Sequence, residues 1–363
     1  MSDSGIRALS SLLIDIDKDW GGHTLTNIKK AVAAGQPLTI EQMIALVGYA
    51  WTGGTGEDYC YSMTQDADYV YAGLETFPAK VIKIAKATMT TSASWTGATG
   101  EDACYAMTQD ADYVYAGLGT YPAKVVKIAK ATMTTMATWT GETDEDSCQA
   151  LTQDADYVYA GLYIPTAKVI KIAKAPMTTM ATWTGETGED RCQALTQDAD
   201  YVYAGLDTDP AKVIKILKST MATSASWTGA TGEDACYALT QDADYIHAGL
   251  GTCPAKVIKI AKAPMTTAVD WTGETGENYC YAMTQDADYI YAGLYITGLG
   301  TYPAKVIKIA KATMTTVADW TGETGEDSCY AMTQDADYVY AGLYIPPATV
   351  IKIDNRRYFP RFL

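Results

Sequence analysis

The stretch WTGETGEDSCYAMTQDADYVYAGLYIP, Trp320 to Pro346, decides the fold, because the chain of 363 residues writes it almost unchanged seven times. Copies begin at Trp51, Trp95, Trp139, Trp183, Trp227, Trp271 and Trp320. The step is 44 residues five times and 49 at the last, where the extra residues stand in GLYITGLGTYPAK. A period of about 40 to 45 residues suits helical arrays or four-stranded propeller blades, and composition separates the two. CYAMTQ and YVYAGL are divided by Asp-Ala-Asp, a turn in which Asp side chains bond their own backbone. AKVIKIAKA follows a loop containing Gly and Pro, and the Thr-rich TTMATW closes the unit before the turn TGETGED. These are four short strands, A to D, with no helical period.

Both faces of this sheet are apolar. Cys104 and Ala106 point one way along strand A, Tyr105 and Met107 the other; on strand C, Val125 opposes Val126 and Ile128. A sheet apolar on both faces needs cover on both, and a propeller blade between two others has it. Strands A, B and C recur at Cys60, Cys104, Cys148, Cys192, Cys236, Cys280 and Cys329, but strand D follows only the first six. After TVIKIDN the chain runs into RRYFPRFL without a WTG, whereas a WTG stands at 51–53, ahead of the first strand A. The expected fold is an all-β, seven-bladed propeller of four-stranded antiparallel blades over 45–355. Residues 45–51 are expected to supply strand D of the last blade and close the ring, leaving no open sheet edge.

CYAMTQDADYVYAGL…PAKVIKIAKATMTT resembles the YVTN and LVIVD class of prokaryotic β-propeller repeats over residues 45–355. The resemblance implies the fold and no particular ligand, since such propellers bind many things. The WTGxTGED element departs from that pattern, and it is not the SxDxGxTW Asp-box of sialidases. The near identity of the copies implies recent duplication, natural or engineered.

Residues 1–44 stand apart. TNIKKAVAAGQP reads as a short helix stopped by Gly35 and Pro37, and Thr39 with Gln42 as a capping box that opens a second. Asp15, Asp17 and Asp19 alternate as in a calcium loop, but Trp20 and Thr26 stand where that loop wants Gly and Glu. DKDWGGHTLTNI is similar to attachment segments of viral tail proteins, which implies an attachment role. Residues 356–363 form a C-terminal tail.

The net charge of −16 argues against nucleic acid or an anionic membrane as partner. No run approaches the roughly 18 to 20 apolar residues of a membrane span, and no signal peptide is read at the start. Eight cysteines occur, the eighth being Cys253 in a loop, with no CxxC or Cys…His spacing for zinc. Seven equivalent cysteines cannot all pair with one another, so free buried thiols and a reducing compartment are expected. The localisation read is cytoplasmic or virion-associated.

Catalytic groups are scarce. The two histidines are His23, outside the repeat, and His247, which replaces the second Tyr of DYVYAGL. No Ser-His-Asp set assembles, and no catalytic residue, cofactor or metal ligand is assigned. Charged residues do recur: Lys83, Lys127, Lys171, Lys215, Lys259, Lys308 and Lys352 in mid-strand C, and Glu57, Glu101, Glu145, Glu189, Glu233, Glu277 and Glu326 before strand A. A buried lysine needs a partner, so these read as a lysine-to-acid link in each blade. The other reading is a ring of carboxylates at the channel mouth that attracts a cation. Each WTG tryptophan reads as a wedge between blades or as an exposed ring that stacks on sugars. The B–C loops vary where the strands do not, and they carry Phe77, Tyr121, Tyr163, Ile164, Tyr295, Tyr302 and Tyr344. Propeller topology puts these loops on one face, where binding sites usually sit. The expected function is a monomeric ring that binds a protein or glycan without catalysis. The alternatives are a structural or virion-associated component anchored by residues 1–44, and an enzyme with its site at the axial mouth.

Overall fold

The computed structural model describes residues 50–295 and 303–355, and these form seven four-stranded antiparallel sheets. No helix occurs among the described residues. The two expected helices, the Asp15–Asp19 run and RRYFPRFL lie outside them. Blade one comprises strand A (Cys60–Gln65), B (Tyr69–Leu74), C (Lys80–Ala85) and D (Thr90–Thr96). The sheet of blade seven contains A (Cys329–Gln334), B (Tyr338–Leu343), C (Thr349–Asp354) and, as its fourth strand, Ala50–Thr52. The A strands of successive blades lie side by side about the axis, and the D strands form the outer rim.

The Asp-Ala-Asp turn forms as its residues dictate. Asp66 Oδ1 accepts from the amides of Asp68 at 3.1 Å and Tyr69 at 2.9 Å, and Oδ2 accepts from the Tyr71 hydroxyl at 2.8 Å. One carboxylate therefore closes the hairpin and satisfies a buried phenol. Every blade breaks register in strand A after the cysteine, as at Cys60/Ser62. The first six blades also break it between strands C and D, as at Lys83/Ile84. Such bulges sharpen the local twist of a sheet.

The core lies between blades. Tyr71, Val81 and Trp95 of blade one pack against Cys104, Val114, Leu118 and Ile128 of blade two, and equivalent clusters fill the next five seams up to that between blades six and seven. Near the axis the spacing is tight: a Cβ on Gly73 would meet the Cys104 Sγ at 2.6 Å. The seven strand-A cysteines are fully buried free thiols, whereas Cys253 is exposed. At the rim, Trp95 Nε1 donates to Thr135 Oγ1 of the next blade at 2.9 Å, and Trp51 does the same to Thr91 at 2.8 Å. Six of the seven tryptophans are 2–4% exposed. That corrects the sugar-stacking reading for those six, because their faces are covered by the neighbouring blade.

Candidate binding site at the axial mouth

Strand A alternates its side chains, so one set faces the channel. Its second position carries Tyr61, Tyr105, Gln149, Gln193, Tyr237, Tyr281 and Tyr330, and these line a cavity of about 420 Å³. The first B–C loop residues Glu75, Tyr163, Asp207 and Tyr344 complete the wall. Among the described residues no lysine or arginine lines it. Each of these loop residues is tied by its amide to the residue before the strand-A cysteine of its own blade, as Glu75 to the Tyr59 carbonyl at 3.0 Å and Asp207 to that of Arg191 at 3.0 Å. The pre-cysteine residues adopt left-handed backbone although none is glycine, with φ of 54° at Tyr59 and 51° at Arg191. Such positions carry backbone strain that the surrounding ring must bear.

The aromatic half of the mouth is a continuous stack. Tyr59 lies 4.4 Å from Tyr344, Tyr344 4.4 Å from Tyr330, Tyr330 4.4 Å from Tyr281, and Tyr281 4.6 Å from Tyr237, centre to centre. Burial pushes the phenols of Tyr237, Tyr281, Tyr330 and Tyr344 up, and that of neighbouring Tyr105 to about 12, so these five stay neutral donors and acceptors at physiological pH. The other half is polar, with Gln149, Gln193 and Asp207. A ring-rich concavity with two carboxylates is suited to stacking and hydrogen bonding, and the described residues that line it include no nucleophile–base pair.

Of the loop residues singled out from sequence, Tyr163, Tyr295 and Tyr344 come together at this mouth, Tyr295 through its ring contacts with Tyr281 and Tyr330 at 5.6 and 6.0 Å. Phe77 and Tyr121 do not: they stand outward, 73% and 66% exposed. Ile164 is buried in the core between blades and is not available to a partner. Tyr302 lies outside the described residues. The sequence reasoning missed the strand-A position. Its signal was the exchange of Tyr for Gln at 149 and 193 inside an otherwise repeated CYAMTQ.

The two charged rings do not meet. Lys83 Nζ donates to the main-chain carbonyl of Lys130 in the next blade at 2.9 Å, and it lies 4.0 Å from the centre of the Tyr69 ring. Lys127, Lys171, Lys215, Lys259 and Lys352 bond the carbonyls of Lys174, Lys218, Lys262, Lys311 and Lys86 in the same way. Lys308 reaches Asn355 Oδ1 at 3.4 Å. The glutamates pair instead with the first lysine of strand C: Glu57 with Lys80, Glu101 with Lys124, Glu145 with Lys168, Glu189 with Lys212, Glu233 with Lys256 and Glu277 with Lys305, at 2.8–3.2 Å. The expected link thus uses Lys80 and its equivalents rather than Lys83. Three residues along a strand reverse the face, so the two lysines point to opposite sides of the blade. Six of the seven carboxylates are thus ion-paired, and none of the seven is among the residues lining the mouth cavity.

A second cavity, of about 490 Å³, opens beside the Asp turns at the opposite end, among Asp198, Tyr203, Asp242 and Lys262. Its acid and base already pair, Lys262 with Asp198 at 3.1 Å. Among the described residues no group of three His, Cys, Asp or Glu is placed to hold a metal.

With this geometry in hand, the chain is a seven-bladed β-propeller. It is similar in fold to the WD40 β-propeller domain of Doa1, with a TM-score of 0.64 at 10% identity over 83% of this chain and 94% of that one. It is also similar to the computationally designed Ika8 protein, with a TM-score of 0.58 at 14% identity over 82% of this chain and 97% of that one. No family model and no curated protein matches the sequence.

Proposed function

We propose that the chain is a non-catalytic interaction module that captures a protein partner on its B–C loop face, with the tyrosine-lined mouth as the seat. The observation that carries this reading is the run of stacked rings from Tyr59 to Tyr237 around an open concavity. Tyrosine offers large contact area at small entropic cost and is a common anchor of protein interfaces. WD40-like propellers commonly serve as protein-interaction scaffolds, which supports a protein over a glycan. The ring itself we infer to be held closed by the strand at Ala50–Thr52, as in the sheet order of blade seven.

The chain supplies its own test substitution, because blades three and four carry Gln149 and Gln193 where the others carry Tyr. Replacing Tyr281 and Tyr330 together by Gln should preserve the fold and abolish capture of the partner. Asp112→Asn, in a turn of the opposite face, should leave capture intact. Capture that survives the tyrosine pair and fails with the turn variant would move the site to the wrong end of the ring. A glycan array run in parallel decides between protein and sugar.

A further inference from the structure

The mouth builds one device twice, and the chain fills it only once. At the seam between blades three and four, Tyr163 and Asp207 stand side by side as first loop residues. Arg191 lays its guanidinium carbon 4.8 Å from the centre of the Tyr163 ring, and its Nη1 is 3.4 Å from Asp207 Oδ2. At the seam between blades seven and one, the equivalent residues are Tyr344 and Glu75. The backbone frame is the same: Arg191 N donates to the Ile164 carbonyl at 3.0 Å, and Tyr59 N to the Ile345 carbonyl at 3.2 Å. But the residue in the arginine's place is Tyr59, which stacks on Tyr344 and brings no charge. Glu75 Oε1 accepts from the Tyr105 hydroxyl at 3.4 Å and the Tyr344 hydroxyl stands near the same carboxylate, while Oε2 is buried with no hydrogen bond within 3.5 Å and no cation among the described residues pairs with it. A carboxylate oxygen out of water and unpartnered costs free energy that a charged donor would recover.

Resting on the reading of the mouth as the partner's seat, we propose that the Glu75 seam receives an arginine side chain from a basic segment of the partner protein. The guanidinium is planar, is weakly hydrated and associates with aromatic rings, so it suits a pocket walled by Tyr59, Tyr105 and Tyr344 better than an ammonium does. The net charge of −16 steers such a segment toward the protein. The other seam of this type lies at the rim of the same mouth, where the Arg191 guanidinium already meets a tyrosine ring and a carboxylate, so the chain itself supplies the precedent for this host chemistry.

Two substitutions test it from opposite directions on the full chain. Glu75→Gln removes the charge at constant size. Tyr59→Arg copies blade four and fills the seam from within, at a position whose φ of 54° matches the 51° of Arg191. The probes are the blocked pentapeptide Gly-Gly-Arg-Gly-Gly and its citrulline counterpart, which keeps the shape and loses the charge. Binding is followed by shifts of the tyrosine ring resonances. The arginine peptide should bind at least about tenfold more tightly than the citrulline peptide, and each substitution should erase that difference without lowering the melting temperature. Equal binding of the two peptides, no binding of either, or a preference that survives Glu75→Gln overturns the assignment. Equal binding that is still lost in the Tyr281→Gln, Tyr330→Gln double variant would overturn the arginine assignment and leave the mouth as the seat. A partner captured through the Asp-turn face would overturn the seat itself.

Discussion

His247 Nε2 stands 3.8 Å from Asp242 Oδ2, where six other blades set a tyrosine hydroxyl on the same carboxylate at 2.7–3.0 Å. The imidazole is fully buried and neither ring nitrogen has a hydrogen-bond partner. His247→Tyr restores the repeated arrangement and should stabilise the ring by about 1–2 kcal/mol. Burial holds the imidazole down at about 4, against the pull of Asp242 and with the push of Lys311 and Lys259. Its folded pKa therefore lies below the unfolded value of about 6.5. The neutral form stabilises the fold above pH ~6.5, and that stability drains away as pH falls from there toward 4. Urea melts at pH 7.5 and 4.5 should show the wild type losing about 2 kcal/mol more than His247→Tyr. Equal losses would remove His247 as the cause.

Glu326 is the one glutamate of its ring without a lysine, since Thr349 occupies the position of Lys80 and its equivalents. Burial and Glu323 raise its pKa, while the Glu323 amide, donating at 2.7 Å, lowers it. A carboxyl with a raised folded pKa weakens the fold as pH rises through its titration. Thr349→Lys should supply the missing pair and raise stability by about 0.5–1 kcal/mol at pH 7, with little effect at pH 3.5 where the carboxyl is protonated. A gain of the same size at both pH values would show that the charge is not responsible.

The thiols divide seven to one. Burial pushes the strand-A thiols up, Cys104 and Cys329 to about 12, so they are neither ionised nor reachable in the folded ring. A thiol reagent should titrate Cys253 alone in the native protein and all eight thiols after denaturation. Rapid native labelling of several thiols would contradict the Gly–Cys packing at the axis. Gly117→Ala probes the same contact, because a Cβ there would sit 2.6 Å from Cys148 Sγ; it should cost about 1–3 kcal/mol.

Blade seven draws its fourth strand from residues far away in sequence, with Gly53 N donating to the Ala348 carbonyl at 2.8 Å. Deleting residues 1–52 exposes the edge of Thr349–Asp354 and removes Trp51 from its bond to Thr91. The truncated protein should self-associate and melt lower, whereas deletion of 1–36 should leave the melt unchanged. Identical melts for the two truncations would show that the ring does not depend on this strand.

The blade count and strand limits were legible because each blade repeats a turn with its own chemistry. Asp66 marks the hairpin through its side chain, and apolar residues at both parities of strand C announce cover on both faces. What was not legible is instructive. The partner of Lys83 is a main-chain carbonyl, which no letter of the sequence records, so an acid was the only visible candidate. Ile164 and Tyr163 are neighbours in one variable loop, yet one is core and the other mouth, because loop variation alone carries no direction. The strand-A tyrosines were visible as an alternation, but alternation tells which residues share a face and not that the face looks onto an axis.

The measurement that bears most directly on the central claim is hydrogen–deuterium exchange of the full chain with and without its captured partner. If the tyrosine mouth is the seat, protection should appear where the B–C loops enter it, at 75–76, 163–164, 207–208 and 344–345, and the Asp turns at 66–68, 110–112 and 154–156 should exchange as in the free protein. Protection confined to those turns, with the loops unchanged, would contradict the account.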